Sequence, residues 1–236
     1  MTMTDFDTTQ HFDDQKAEAY DRVIRQVVPG YEVLHEMIKV VLDHYVTATE
    51  AKLLSVGCGT GVEMMTLGDH FPTWHLTGVE PAPAMAAVAQ ANLEIKQMSD
   101  RAHIYQGFVE DLSAEMKFDA ATLILVMHFV PDDGSKEVLL RSIAERLNPG
   151  APLILADLHA DVQGARFKRF LDIWRDWQLH NGMPEHIVDR GFEHVVRDIQ
   201  FVSEDRILEL LHSAGFKTVE PFYGAFLFGG WIAWKE

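Results

Sequence analysis

Cysteine is almost missing. Cys58 is the only one in 236 residues, so no disulfide can form within the chain and a reducing compartment is expected. Basic residues are also scarce: 20 Lys and Arg stand against 36 Asp and Glu, for a formal charge of −16. No basic cluster offsets that excess, which argues against a nucleic-acid backbone as partner. No apolar run reaches the ~18 residues of a membrane span, and Met1 to Gln10 lack the basic and apolar regions of a secretory leader. These absences predict a cytoplasmic protein with neither nucleic acid nor membrane as partner. Internal repeats and low-complexity segments are absent as well. Histidines are plentiful, but His180, His186 and His194 lack the i, i+4 spacing that puts two ligands on one helical face, so no metal is expected.

What is present is a core of ordinary size. A hydrophobic content of 47% supports one domain over residues 1–236, with a helical segment over 1–50 and a helical lid inserted over 160–200. The chain is organised around Lys52 to Glu80. Leu53-Leu54-Ser55-Val56 reads as a buried strand, and Gly57-Cys58-Gly59-Thr60-Gly61 reads as a tight turn opening a helix. His75 to Glu80 reads as a second strand ending in a carboxylate. Alternate glycines let the backbone bend and approach a ligand, and the helix that follows offers free N–H groups. An acid on the order of 20 residues downstream is placed to accept ribose hydroxyls. Val62 stands where a GxGxxG fingerprint needs glycine, and no GxxxxGK[ST] loop is present. The ligand is therefore nucleotide-like, and neither the dinucleotide nor the phosphate-loop fingerprint is complete. Cys58 reads as a small residue filling the turn.

Short strands then alternate with helices. Helical spacing covers Asp13–Val28 and Tyr31–Val46, ahead of the first strand. A helix over 83–98 precedes a strand at His103–Gln106, and Phe118–Leu125 is a continuous apolar strand. A helix beginning at Pro131 runs to Leu147, and Pro152–Asp157 is the fifth strand. Asp161 to Gln200 is helical and rich in aromatics, and a helix over 204–213 follows. The chain closes on two strands, with the hairpin turn expected at Gly224. The pattern predicts an α/β fold with a doubly wound, mostly parallel seven-stranded sheet. Residues 1 to about 12 read as loosely attached.

The run VGCGTG, Glu80-Pro81, the segment Leu147 to Leu155 and the ending from Ala214-Gly215-Phe216 resemble the class I S-adenosylmethionine (SAM) dependent methyltransferases. Within them, Val28-Pro29-Gly30-Tyr31 and Phe226 to Gly229 resemble the carboxy-SAM synthase branch. The resemblance implies SAM as cofactor, held by Tyr31, Gly57, Cys58, Gly59, Gly61, Glu80, Pro81, Ile124 and Leu125. It also implies a homodimer. Two positions depart from the pattern. Phe108 stands where many relatives have an acid for the adenine amino group, so Glu110 or the backbone of Val109 is expected to substitute. Phe192 stands where the synthase branch has an arginine that holds a carboxylate, and Arg190 lies two residues away.

Methyl transfer needs mainly positioning and, for a hydroxyl or amine acceptor, a general base. His128 and His159, just past strands four and five, and Asp157 at the end of strand five are the candidates, because open α/β sheets bind ligands at strand C-termini. The aromatics Phe167, Phe170, Trp174 and Trp177 recur at three and four residues and form a helix face, which serves as core, dimer contact or pocket wall. The sequence therefore predicts a SAM-dependent methyltransferase acting on a small-molecule acceptor. The alternatives are a carboxy-SAM synthase, making carboxylated cofactor from prephenate, and a non-catalytic SAM-binding protein.

Overall fold

A computed structural model describes residues 14–236, with side chains from Asp21 onward. The expectation for residues 1–12 lies outside the described residues. Helices α1 (Asp14–Val27) and α2 (Tyr31–Tyr45) precede β1 (Lys52–Val56), followed by α3 (Val62–His70), β2 (His75–Glu80), α4 (Pro83–Ile95) and β3 (Ala102–Gln106). Next come β4 (Ala120–Ile124), α5 (Ser135–Arg146), β5 (Pro152–Leu158), α6 (Ala165–His180), α7 (Glu185–Asp198), α8 (Glu204–Ser213), β6 (Phe216–Ala225) and β7 (Phe228–Lys235). The seven strands form one sheet in the order β3-β2-β1-β4-β5-β7-β6. The first five are parallel, and β7 inserts antiparallel between β5 and β6.

Strand order reverses between β1 and β4, so their C-terminal ends open the crevice in which doubly wound sheets take ligands. The alternation of side chains sorts the central strands between two cores. Leu153 and Leu155 of β5 point into one hydrophobic cluster with Ile143 and Leu210, and Ile154 and Ala156 point into another with Leu34 and Leu67. Burial on both faces explains why these strands read as unbroken apolar runs.

Helix α6 carries Phe167, Phe170 and Trp174 into a third cluster with Tyr31, Leu125 and Leu158. The Trp174 indole N–H donates to Val27 O at 2.7 Å, tying the lid to α1. The aromatic face is thus spent inside the chain. Truncating Trp174, which is 2% exposed, removes packing on the scale of 3–5 kcal/mol.

Several boundaries differ from the sequence reading. Strand β4 stops at Ile124 because Leu125 turns to φ +60. Helix α5 starts at Ser135, after a turn in which Asp133 Oδ1 accepts the Ser135 N–H at 3.2 Å. The lid is two helices, since the turn Asn181–Pro184 breaks it. The closing hairpin turns at Phe226 and Leu227, with Ala225 paired to Phe228, and Gly224 lies inside β6 opposite Gly229. Phe226 adopts φ +56 and its ring packs against Phe170 and Trp177. Tertiary packing of an aromatic overrides the local preference for glycine there.

Candidate active site

The turn after β1 is stitched to the end of β2. Gly57 and Cys58 both donate their N–H groups to Val79 O, at 2.8 and 3.1 Å. Glu80 completes the join: its Oε2 accepts the Gly59 N–H and its Oε1 the Ala82 N–H, both at 2.9 Å. Each carboxylate oxygen keeps capacity for another donor. Burial raises the Glu80 pKa, and the two N–H donors oppose that rise.

The three turn glycines do different work. All adopt positive φ, where a Cβ is disfavoured, but a Cβ on Gly57 would lie 2.5 Å from Val126 Cγ2 and one on Gly61 3.3 Å from Ala89 Cβ. At Gly59 nothing lies within 4 Å. The outer glycines are packing positions, and the middle one faces open space. Cys58 is buried, and burial together with Glu80 and Glu63 pushes its thiol well above the usual range, which makes it inert.

That open space continues into a recess lined by Tyr31 and His35 of α2, residues 57–60 of the turn, Val62 and Glu63 of α3, and Ile124 and Leu125 at the end of β4. Leu125, a non-glycine residue at φ +60, donates its N–H to Ala156 O at 2.7 Å. Such strained backbone concentrates at functional sites. The Thr60 hydroxyl donates to Asp21 Oδ1 at 2.5 Å and pins α1 to the turn.

Two ionisable groups in the recess went unnoticed in the sequence. The Glu63 carboxylate accepts hydrogen bonds from Ser55 Oγ at 3.1 Å and from the Thr122 hydroxyl, and burial raises its pKa against those two donors. His35 is 6% exposed, and neither ring nitrogen has a hydrogen-bond partner among the described residues. Its ring meets Tyr31 edge-on, with centroids 4.5 Å apart. Burial, then the positive charge of Arg25, lowers its pKa to about 4. The spacing of His35 four residues after Tyr31 puts both on one helix face, a signal that was there to read.

The remaining expected residues do not line this recess. Pro81 follows Glu80 into α4. Val109 and Glu110 sit in a one-turn helix after β3, where Asp111 Oδ2 accepts the Phe108 N–H at 2.9 Å. Val109 is buried, and the Glu110 side chain is exposed. His128 and Asp157 do come together: Asp157 Oδ1 meets His128 Nδ1, and Oδ2 accepts the His128 backbone N–H at 2.9 Å. Lys136, fully buried, donates to Met127 O at 2.7 Å. Burial lowers its pKa to about 8 against the pull of Asp157 and Asp132. His159 is not brought to the recess. It packs edge-on against Trp231 at 5.1 Å, and burial lowers its pKa.

The methyltransferase domain model matches residues 7–220. The chain belongs to the methyltransferase domain family. Curated relatives of this methyltransferase include the carboxy-S-adenosyl-L-methionine synthase of Citrobacter koseri, 23% identical over 229 residues that cover 95% of this chain and 91% of the relative. The Escherichia coli strain K12 synthase is 22% identical over 228 residues, 95% of this chain and 90% of the relative. Among solved structures, the mitomycin 7-O-methyltransferase MmcR superimposes over 98% of this chain with a TM-score of 0.66 at 22% identity. The cyclase SpnF covers 79% of the chain with a TM-score of 0.58 at 20% identity. The chain spans 60% of the length of either structure. At these identities the structures establish the fold, and a cyclase on the same fold shows that the fold alone does not name the reaction.

The cofactor of the methyltransferase is SAM, and the site suits it. Gly59 leaves room for a ligand, Glu80 has acceptor capacity at the strand tip, and the recess holds buried polar atoms with no partner among the described residues.

Proposed function

We propose that the methyltransferase moves the methyl group of SAM to a small neutral or cationic acceptor held between the recess and the helical lid. The observation that carries this reading is the lid's chemistry at the place where the synthase branch has its arginine. Phe192 packs its ring 5.1 Å from Trp174, and Arg190 lies on the exposed face of α7. The lid therefore carries a packed phenyl ring at the position where a dicarboxylate such as prephenate would need a guanidinium fork. A net charge of −16 disfavours a dianion further.

When bound, SAM supplies a methyl group on a cationic sulfur. The chain's own residues then position the reactants. Glu80 accepts hydrogen bonds from the ribose, Gly59 allows close approach, and Ile124, Leu125 and the lid aromatics keep water out. His128 acts as general base toward an acceptor hydroxyl or ammonium, and Asp157, by holding Nδ1, directs Nε2 to take the proton. The test supplies SAM with neutral phenols and amines and measures S-adenosylhomocysteine by mass spectrometry. Acceptor-dependent formation is expected. Bound SAM with no such formation contradicts the reading.

A second reading, carboxy-SAM synthesis, is favoured by the near full-length match to the curated synthases. For assembly, we propose a cytoplasmic homodimer. No helix among the described residues is long and apolar enough to cross a membrane, and the lid carries exposed Ile173, Ile187 and Val196. Closed pairs are the commonest assembly of soluble chains. Light scattering at micromolar concentration should give a dimer mass, and a monomer mass removes the proposal.

A further inference from the structure

The recess and Glu80 lie on opposite sides of the glycine turn. Glu80 ends β2, and the turn carrying Val109 and Glu110 follows β3, whereas Ile124 and Leu125 end β4 on the other side of β1. A ligand whose ribose meets Glu80 and whose base lies toward β3 must send its remaining end across Gly59 into the recess. For SAM, that end is an amino acid, which carries an ammonium and a carboxylate on one carbon.

The recess presents one group for each charge. Glu63 is a buried carboxylate whose Oε1 is braced from beneath by Ser55 of β1 and Thr122 of β4. Its Oε2 has capacity for an incoming donor. His35, on the helix that covers the recess, is 6% exposed with both ring nitrogens unpartnered among the described residues. A buried polar atom left without a partner costs about 1–3 kcal/mol, so a ligand group that satisfies it binds at an advantage. We propose that Glu63 and His35 form a two-sided clamp for the zwitterionic amino-acid end of the cofactor, Glu63 accepting from the ammonium and a His35 ring N–H donating to the carboxylate.

The proposal rests on SAM occupying this site. The low His35 pKa set by burial keeps the ring neutral near pH 7, so it has one N–H to give and one nitrogen to accept. The raised Glu63 pKa, set by burial, means that a cation arriving beside it favours loss of its proton.

The test is calorimetric titration with two neutral thioethers. S-adenosylhomocysteine has the amino-acid end, and 5′-methylthioadenosine keeps adenine, ribose and sulfur but lacks it. Wild type should prefer the former. Glu63→Gln and His35→Phe should each weaken S-adenosylhomocysteine by at least about tenfold, the scale of a hydrogen bond to a charged group, and leave methylthioadenosine within about twofold. Binding of methylthioadenosine also reports that the variants are folded. Equal weakening of both ligands, or of neither, overturns the clamp. Wild type binding both ligands equally overturns the clamp while leaving the nucleoside site intact, and wild type binding neither ligand removes the cofactor reading itself.

Discussion

The Glu80 carboxylate and the Gly59 N–H meet at 2.9 Å, joining the tip of β2 to the middle of the glycine turn. The residue expected to hold the ribose is also the residue that fixes the turn proposed to carry the cofactor. Removing it acts twice.

Glu80→Ala should weaken SAM binding by ~1.5–3 kcal/mol, the scale of hydrogen bonds to a charged group. It should also lower stability by about 1–3 kcal/mol, because the Gly59 and Ala82 N–H groups lose their acceptors. Calorimetry and denaturant unfolding read the two effects separately. Unchanged affinity in a folded variant would remove Glu80 from the site.

The turn glycines should separate by substitution. Gly57→Ala drives a Cβ against Val126 at 2.5 Å and should lower stability by several kcal/mol, about 1–3 from overpacking with left-handed strain added. Gly59→Val meets no such contact, so its stability cost is about 1–2 kcal/mol of backbone strain, yet it should abolish cofactor binding by filling the ligand's space. Normal SAM binding by Gly59→Val would show the turn to be no cofactor site.

For His35 the sign of the pH effect is fixed by its lowered pKa. The folded value of about 4 lies below the ordinary 6.5, so the unfolded chain takes up the proton first as pH falls. The associated stability is full above pH ~6.5 and is lost as pH falls toward ~4, by roughly 3 kcal/mol. The cofactor-free His35→Phe variant should lose less stability than wild type across that window. Parallel curves would contradict the buried neutral imidazole.

His128→Gln should lower turnover about 10²–10⁴-fold, the range for loss of a general base, and leave cofactor affinity near wild type. Asp157→Asn should lower turnover as well. It should also destabilise the fold, since Asp157 is fully buried and accepts the Leu158 N–H at 2.7 Å in addition to holding His128. Single-turnover kinetics beside binding curves distinguish the two. Wild-type turnover in His128→Gln excludes the base.

Much of the fold was legible because β1, β4 and β5 are buried on both faces and leave unbroken apolar runs, while Gly57, Gly59 and Gly61, all at positive φ, and the strand-end Glu80 mark the tight turn between β1 and α3. The pairing of His128 with Asp157 was not legible, since it depends on a register between β4 and β5 that no local pattern prints. Glu63 and His35 were missed for a related reason. Each looks like an ordinary polar residue on an amphipathic helix until packing turns it inward. The Gly224 turn failed because Phe226 is held in a left-handed conformation by contacts with the lid.

The central claim is that the cofactor donates a methyl group and is not itself carboxylated. The most direct test incubates the protein with SAM and prephenate and reads the nucleoside mass. The account predicts SAM unchanged in mass. A nucleoside heavier by one carboxyl group, lost again in Arg190→Ala, would contradict it and install carboxy-SAM synthesis in its place.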